Sequence, residues 1–158
     1  MNKKKIIIIV LSSLFIIFMI RNLIWYLNFN KYENYISNEY ELYVKSYGKT
    51  LNGYSYTIKQ PEFYSFTGNF AINNNADISI IIWPELFMKG DMRIGMELVD
   101  AENNHGYRFY VDKELNYMVD KKNNFTEEEI TQIQNLLDKK KEEIGKMYRL
   151  AKKEWDLK

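Results

Sequence analysis

Hydrophobic and polar positions follow three successive patterns along this chain. Three consecutive lysines lead into residues 6–20, which are uncharged and mostly Ile, Leu, Val or Phe. As a helix rising about 1.5 Å per residue, this run spans only about 22 Å of a hydrocarbon core that is about 30 Å thick. Continuation to residue 27 gives about 33 Å. We therefore predict a basic cytoplasmic start and transmembrane anchor over residues 1–27, with residues 6–27 in contact with lipid.

The ends of this span carry side chains suited to the membrane interface. Arg21 falls inside the nominal slab but less than about two turns from its outer boundary, so its guanidinium can extend to the headgroups. Trp25 and Tyr26 follow where an aromatic belt is expected. The predicted membrane-interface residues are Lys3, Lys4, Lys5, Arg21, Trp25 and Tyr26.

A cleaved signal peptide and a buried core helix are the alternatives to a retained anchor. Cleavage requires small residues after the apolar run, whereas this chain continues Met19-Ile20-Arg21-Asn22. An apolar surface with lysines at one end suits lipid better than a protein core. The excess of lysine before the span predicts a single-pass protein of the cell membrane, with a cytoplasmic N-terminus and residues 28–158 outside. The abundance of Ile, Lys and Asn is typical of an AT-rich genome and favours a bacterial source.

The second pattern is a helical spacing directly after the span. Aromatic and apolar residues recur at steps of three and four, at Phe29, Tyr32, Ile36, Tyr40, Tyr43 and Tyr47. Gly48 suits the left-handed residue that closes a helix, and Lys45 suits the last turn. The spacing predicts a juxtamembrane stalk helix over residues 28–48.

The third pattern is the alternation of apolar and polar residues that is typical of strands, and it begins at Gly53. Pro61 and Pro84 end strands, and short connections make successive strands antiparallel neighbours. We predict a β-meander of about six strands, with a central third strand covered on both faces. The predicted strands lie near residues 54–58, 64–72, 78–83, 92–98, 107–111 and 117–119.

A long amphipathic helix is predicted at the C-terminus. Thr126 and Glu129 fit a capping box, and Phe125 and Ile130 fit a hydrophobic staple. An apolar stripe then continues to Trp155, with Gly145 weakening its middle. The predicted fold is α+β, with a transmembrane helix continuing into the stalk and with the C-terminal helix packed on the sheet. Residues 49–158 form the extracytoplasmic domain.

Charge argues against nucleic acid as a partner. The anchor contains four of the 22 basic residues and none of the 21 acidic ones, so the exported part has a net charge of −3. Duplex binding requires a surplus of Lys and Arg.

Catalytic chemistry has few candidates in this sequence, which contains one histidine and no cysteine. His105 follows Asp100, but an EF-hand loop starting there would require glycine at position 105 and glutamate at position 111. Turn chemistry explains this segment better. No spacing forces two acids together among Asp91, Glu97, Asp112, Glu114 and Asp120. We predict no catalytic residue, no metal site and no cofactor.

The segment from Trp83 to Gly90 is the clearest candidate for a contact site. It carries three consecutive apolar residues between two strands, where a connection is usually polar. The predicted ligand or partner contacts are Trp83, Leu86, Phe87 and Met88. The alternative is that these residues cap one end of the sheet against a helix.

These patterns favour a membrane-anchored extracytoplasmic module that binds or senses a ligand without catalysis. The aromatic content, 16% of residues, suits a groove for peptide or carbohydrate. One alternative is a hydrolase or transferase that uses carboxylates, which requires convergent acids of raised pKa. Another is an accessory or self-protection protein that acts by contacting a second membrane or surface protein.

Overall fold

The described chain combines one long helix, one sheet and two C-terminal helices in an α+β arrangement. The computed structural model describes residues 3–84, 92–103, 105–120, 123 and 125–157. Its helices are α1 (Lys3–Glu33), α2 (Glu127–Lys139) and α3 (Lys141–Glu154). The predicted α+β class, with a long apolar helix at the N-terminus and helical structure at the C-terminus, is confirmed.

The sheet has eight strands in the described residues, each antiparallel to the next, in chain order. The strands are β1 (Glu41–Tyr43), β2 (Ser46–Leu51), β3 (Tyr54–Lys59), β4 (Asn69–Asn73), β5 (Ile78–Pro84), β6 (Met92–Asp100), β7 (His105–Val111) and β8 (Tyr117–Met118). β3 to β8 correspond to the six predicted strands. The antiparallel meander is confirmed, while β1 and β2 were not predicted.

Buried and half-buried residues alternate along β3, β4 and β5, which gives the sheet one buried face that we call the core face. In β5 Ile78, Ile80 and Ile82 are at most 4% exposed, while Ile81 and Trp83 on the other face are half-buried. β5 is therefore central, but its second face is only partly covered. Trp155, directly after α3, has no exposed surface and stacks on Phe70 with ring centroids 4.9 Å apart. The opposite side of the sheet is called the outer face below.

α1 changes its environment along its length. It is long and apolar enough to span a membrane, and its large side chains between residues 6 and 20 are 42% to 64% exposed. Asn28 and Tyr32, in its last turns, are each only 1% exposed. The exposed apolar part of α1 thus continues directly into turns that pack against the sheet domain.

The predicted stalk helix over residues 28–48 is wrong beyond Glu33. Turns and the β1–β2 hairpin replace it, and Gly48 lies in β2 rather than at a helix end. Val44 adopts a left-handed φ of 53° between the two strands. Spacing misled here because aromatic residues favour strands as readily as helices, and Asn34 and Asn38 are weak helix formers.

Two boundaries also differ from the sequence prediction. The single C-terminal helix is instead two, α2 and α3, which meet at Lys140. Lys140 leaves helical geometry with φ −107° and ψ 8°, and its ammonium pairs with Asp77. The Thr126–Glu129 capping box at the start of α2 is confirmed. The strand predicted near residues 64–72 begins only at Asn69, and Tyr64 and Phe66 lie exposed in the loop before it. Exposed apolar rings are tolerated in a loop, whereas on the core face of a strand they are buried.

Candidate functional site

The last turns of α1 dock on the connection between β3 and β4. Trp25, Asn28 and Tyr32 share one helical face because they follow each other at steps of three and four. Trp25 Nε1 donates a hydrogen bond of 3.2 Å to the Pro61 carbonyl, and Tyr32 stacks on Phe70 with centroids 5.2 Å apart. The Asn28 side-chain amide donates to the Phe66 carbonyl. Specific polar and aromatic contacts therefore fix the helix to the domain.

Arg21 extends this docked face by one more turn. Its guanidinium donates to the Phe63 carbonyl and lies 4.5 Å from the centroid of the Phe63 ring and 5.4 Å from that of Phe66. Such cation–π contacts become stronger where water is scarce. The sequence suggested that Arg21 reaches lipid headgroups, and it gave no sign of these aromatic partners about forty residues away.

The other predicted interface residues occupy the surface of α1. Lys3, Lys4 and Lys5 are exposed at its start, and Tyr26 is 55% exposed. Trp25 instead packs between Phe29 and Phe63, with centroid separations of 5.3 Å and 5.8 Å. Of the two predicted belt residues, one is thus held by protein and the other faces outward.

A second candidate site is a hollow of about 810 Å³ on the outer face of the sheet. Trp83 lies across the position where Gly95 lacks a side chain, since a Cβ there would be only 2.6 Å from the indole. The Tyr110 ring is 6.1 Å from Trp83, and the Arg93 guanidinium lies 5.7 Å from the Tyr110 ring centroid. We call this site the Trp83 hollow; Met118 also lines it.

Only one of the four predicted contact residues can be located in the hollow. Trp83 lines it, whereas Leu86, Phe87 and Met88 lie outside the described residues. The sequence did not indicate Arg93 and Tyr110 as members of this site, because they reach Trp83 only through the pairing of separate strands. The register pairs Trp83 with Arg93 and Gly95 with Tyr110. The alternating pattern of β6 could have indicated that Arg93 faces away from the core.

The docked helix and the Trp83 hollow lie at the same end of the sheet. Lys59 at the end of β3 pairs with Asn69 at the start of β4, and Pro84 at the end of β5 pairs with Met92 at the start of β6. We call this the docking end of the sheet. Thr67, from the β3–β4 connection that α1 contacts, also lines the hollow. The docked turns of α1 are therefore close to the Trp83 hollow.

A third polar cluster joins β2 to the end of α3. The side chain of Lys49 is 7% exposed and forms ion pairs of 2.8 Å with Glu39 and 2.7 Å with Glu154. Glu154 also accepts a hydrogen bond from the Tyr40 hydroxyl, which in turn accepts one from Trp155 Nε1. The polar groups named here all have partners, so we interpret the cluster as a structural link between the β1–β2 hairpin and the end of α3.

Alkaline pH is expected to weaken this link between the hairpin and α3. Burial raises the pKa of Tyr40, and ion pairing with Glu154 and Glu39 outweighs burial and raises the pKa of Lys49. Both groups hold their protons more tightly when folded, so their stabilisation is complete below about pH 10 and is lost as pH rises further. Urea unfolding at increasing pH should show the free energy of unfolding falling above about pH 10. The fall with pH should be shallower for Tyr40→Phe than for the unchanged protein. Equal slopes for both proteins would contradict this role of Tyr40.

Two turn aspartates among the described residues lie where hydrogen bonds favour the charged form of the carboxyl group. Asp112 has a lowered pKa because it accepts hydrogen bonds from Asn116, and hydrogen bonds with Asn103 and Glu102 lower the pKa of Asp100. Glu97 instead forms a 3.0 Å ion pair with Arg108. Among the residues that the structure describes, no group of three or more His, Cys, Asp or Glu side chains could hold a metal ion.

Comparison with known proteins adds no assignment to this geometry. No protein-family model matches the chain, and neither curated proteins nor solved structures give a match. Its function must therefore follow from its own residues and their arrangement.

Proposed function

We propose that this protein is a single-pass membrane protein that displays its sheet domain outside the cytoplasm and acts there by binding. One observation carries the proposal: α1 runs without a break from the lysines at its start to Tyr32 in the core. A helix with a bare apolar half and a docked half is suited to joining a lipid bilayer to a folded domain.

The docked half of α1 favours a retained anchor over a cleaved signal peptide. Removal of the apolar run near Ile20 would cut a continuous helix next to Arg21, which belongs to the docked face. The residues that follow offer no run of small side chains for cleavage. The lysines before the span support a cytoplasmic N-terminus.

The Trp83 hollow is the surface that we propose for ligand contact. Its indole and phenol rings offer flat apolar faces, and Arg93 adds a fixed charge, which together suit a peptide or a carbohydrate. Its place at the docking end brings it close to the membrane, so a second membrane or surface protein fits as its partner.

Carboxylate chemistry is the weaker candidate. General acid catalysis near neutral pH requires a carboxyl group of raised pKa. The described carboxyl groups with clearly shifted values, such as Asp77 and Asp112, have lowered pKa values and stay ionised. This direction favours binding over a hydrolase or transferase.

Cysteine labelling can test display and binding together, because the chain has no cysteine of its own. Met118→Cys would report on the hollow, where this residue is 48% exposed. Ala76→Cys, exposed in the turn after β4 at the other end of the sheet, is the matched control. We expect a membrane-impermeant maleimide to label both variants on intact cells that carry the protein natively. At position 118 the rate should be lower in cells than for purified protein in nanodiscs.

Two results would contradict separate parts of the proposal. Labelling of Ala76→Cys only after the membrane is permeabilised would reverse the orientation. Equal ratios of cell to nanodisc labelling at positions 76 and 118 would show that nothing occupies the Trp83 hollow in cells.

A further inference from the structure

Exposed aromatic residues cluster where α1 meets the domain. We call residues 61–67, between β3 and β4, the aromatic loop. Within it Phe63 is 39% exposed, Tyr64 is 89% exposed and Phe66 is 37% exposed. Three rings within four residues, one largely exposed and two partly exposed, form an apolar patch that water does not favour.

The position of this loop along α1 sets its depth. A hydrocarbon core about 30 Å thick takes about 20 helical residues, so a span that starts at Ile6 reaches its outer boundary near Trp25. Phe63 contacts both Trp25 and Arg21, and Arg21 lies about 6 Å below Trp25 along the helix. The tip of the loop therefore lies level with the outermost turn of the span.

Most backbone carbonyls of the loop accept hydrogen bonds from protein groups, which suits a layer with little water. Side chains of α1 donate to three of its carbonyls: Trp25 to Pro61, Arg21 to Phe63 and Asn28 to Phe66. Inside the loop, Ser65 donates from its amide to the Glu62 carbonyl at 2.8 Å and from its hydroxyl to the Thr67 carbonyl at 2.7 Å. Unsatisfied carbonyls are costly where water is scarce, so this pattern permits a depth that ordinary loops avoid.

Charge in the loop is also compensated. Its one ionisable acid, Glu62, forms an ion pair of 3.0 Å with Lys59, and this pairing lowers the pKa of the carboxyl group. The guanidinium of Arg21 is covered by the Phe63 and Phe66 rings. Glu62 stays charged but is paired with Lys59, and it is the one charged side chain of the loop itself.

We propose that the aromatic loop is a second membrane contact, with Phe63, Tyr64 and Phe66 inserted at the headgroup boundary of the leaflet from which α1 emerges. This inference rests on the proposed transmembrane span. Tyrosine is enriched at this boundary, and phenylalanine is common on the apolar face of segments that lie in it. Two contacts, the span and the loop, hold the domain in one orientation, with the Trp83 hollow close to the lipid surface.

Site-directed spin labelling of the full chain in phosphatidylcholine vesicles tests the proposal. Three single-cysteine variants are needed: Tyr64→Cys in the loop, Ser13→Cys in the span and Ala76→Cys at the far end of the sheet. Each nitroxide is probed by collision with oxygen, which partitions into lipid, and with a polar nickel chelate, which stays in water. We expect the oxygen-to-nickel ratio at position 64 to be several-fold higher than at position 76 and below that at position 13.

The three positions separate the possible failures. A lipid-like ratio at position 13 with equal ratios at positions 64 and 76 would overturn the loop proposal and leave the span intact. A water-like ratio at position 13 would overturn the span itself. Shielding of position 64 from both probes would show that protein, such as a second copy of the chain, covers the loop instead of lipid.

Discussion

Replacement of Trp155 by alanine is expected to lower the free energy of unfolding by about 3–5 kcal/mol, the usual range for a large buried aromatic side chain. Trp155 has no exposed surface, stacks on Phe70 at 4.9 Å and meets Tyr56 edge to face at 5.9 Å. Its removal leaves a cavity between α3 and the sheet. Thermal unfolding of the full chain in detergent micelles, followed by near-ultraviolet circular dichroism, measures the effect.

Trp155→Phe is the matched control for this prediction. It keeps a ring against Phe70 but removes the Nε1 donor, which forms a 3.0 Å hydrogen bond with the Tyr40 hydroxyl. Part of the ring volume is lost as well, so we expect a cost of about 1–2 kcal/mol. If Trp155→Ala were no more destabilising than Trp155→Phe, the packing of α3 on the sheet could not depend on this ring.

The same tryptophan explains why the sequence could not predict the segment after α1. The tyrosines at positions 40, 43 and 47 have a spacing that fits a helix, and the weak helix formers before them do not by themselves exclude one. Their conformation is decided by distant partners: the Tyr40 hydroxyl bonds to Trp155 and Glu154, and Lys49 pairs with Glu154. Such contacts override local propensity and leave no periodic signal in the sequence.

Features with a short-range cause were predicted correctly. The short apolar run from Ile78 to Trp83, bounded by an asparagine turn and by Pro84, is a local signal, and it identified β5. The capping box at Thr126 requires only Glu129, three residues further on. Local patterns of this kind account for the strands from β3 onwards and for the start of α2.

The candidate sites were predicted only in part, because each combines local and distant residues. Arg21 and Trp25 were predicted as membrane-interface residues, from their place at the end of an apolar run, and not as contacts of the β3–β4 connection. Phe63, which contacts both, became visible only in the folded chain. In the Trp83 hollow, likewise, Trp83 was predicted from a connection unusual for its apolar residues, whereas Tyr110 arrives through the pairing of β6 with β7.

Gly68 lies where the β3–β4 connection approaches both Lys59 at the end of β3 and Tyr32 of α1. A Cβ at Gly68 would meet the Lys59 carbonyl oxygen closer than any real contact allows, and it would lie 2.9 Å from the Tyr32 ring. Backbone cannot yield as a flexible side chain does, so Gly68→Ala must push the start of β4 away from the end of β3, and it must displace the Tyr32 ring as well. We expect a loss of about 3 kcal/mol, at the upper end of overpacking effects, and a fall in melting temperature on the order of 10 °C.

Gly106→Ala is the control for Gly68→Ala, because no atom lies within 4 Å of a Cβ built at Gly106, which also lies in a strand. Alanine there restricts the unfolded chain without a clash, so we expect a change within about 0.5 kcal/mol. Melting of both variants in micelles gives the comparison. In the spin-labelling experiment, Gly68→Ala should also make the ratio at position 64 more water-like, because displacement of Tyr32 frees the aromatic loop from α1. Equal melting temperatures for the two variants would mean that α1 does not dock closely on the β3–β4 connection. The orientation of α1 relative to the sheet would then not be fixed by packing at Gly68.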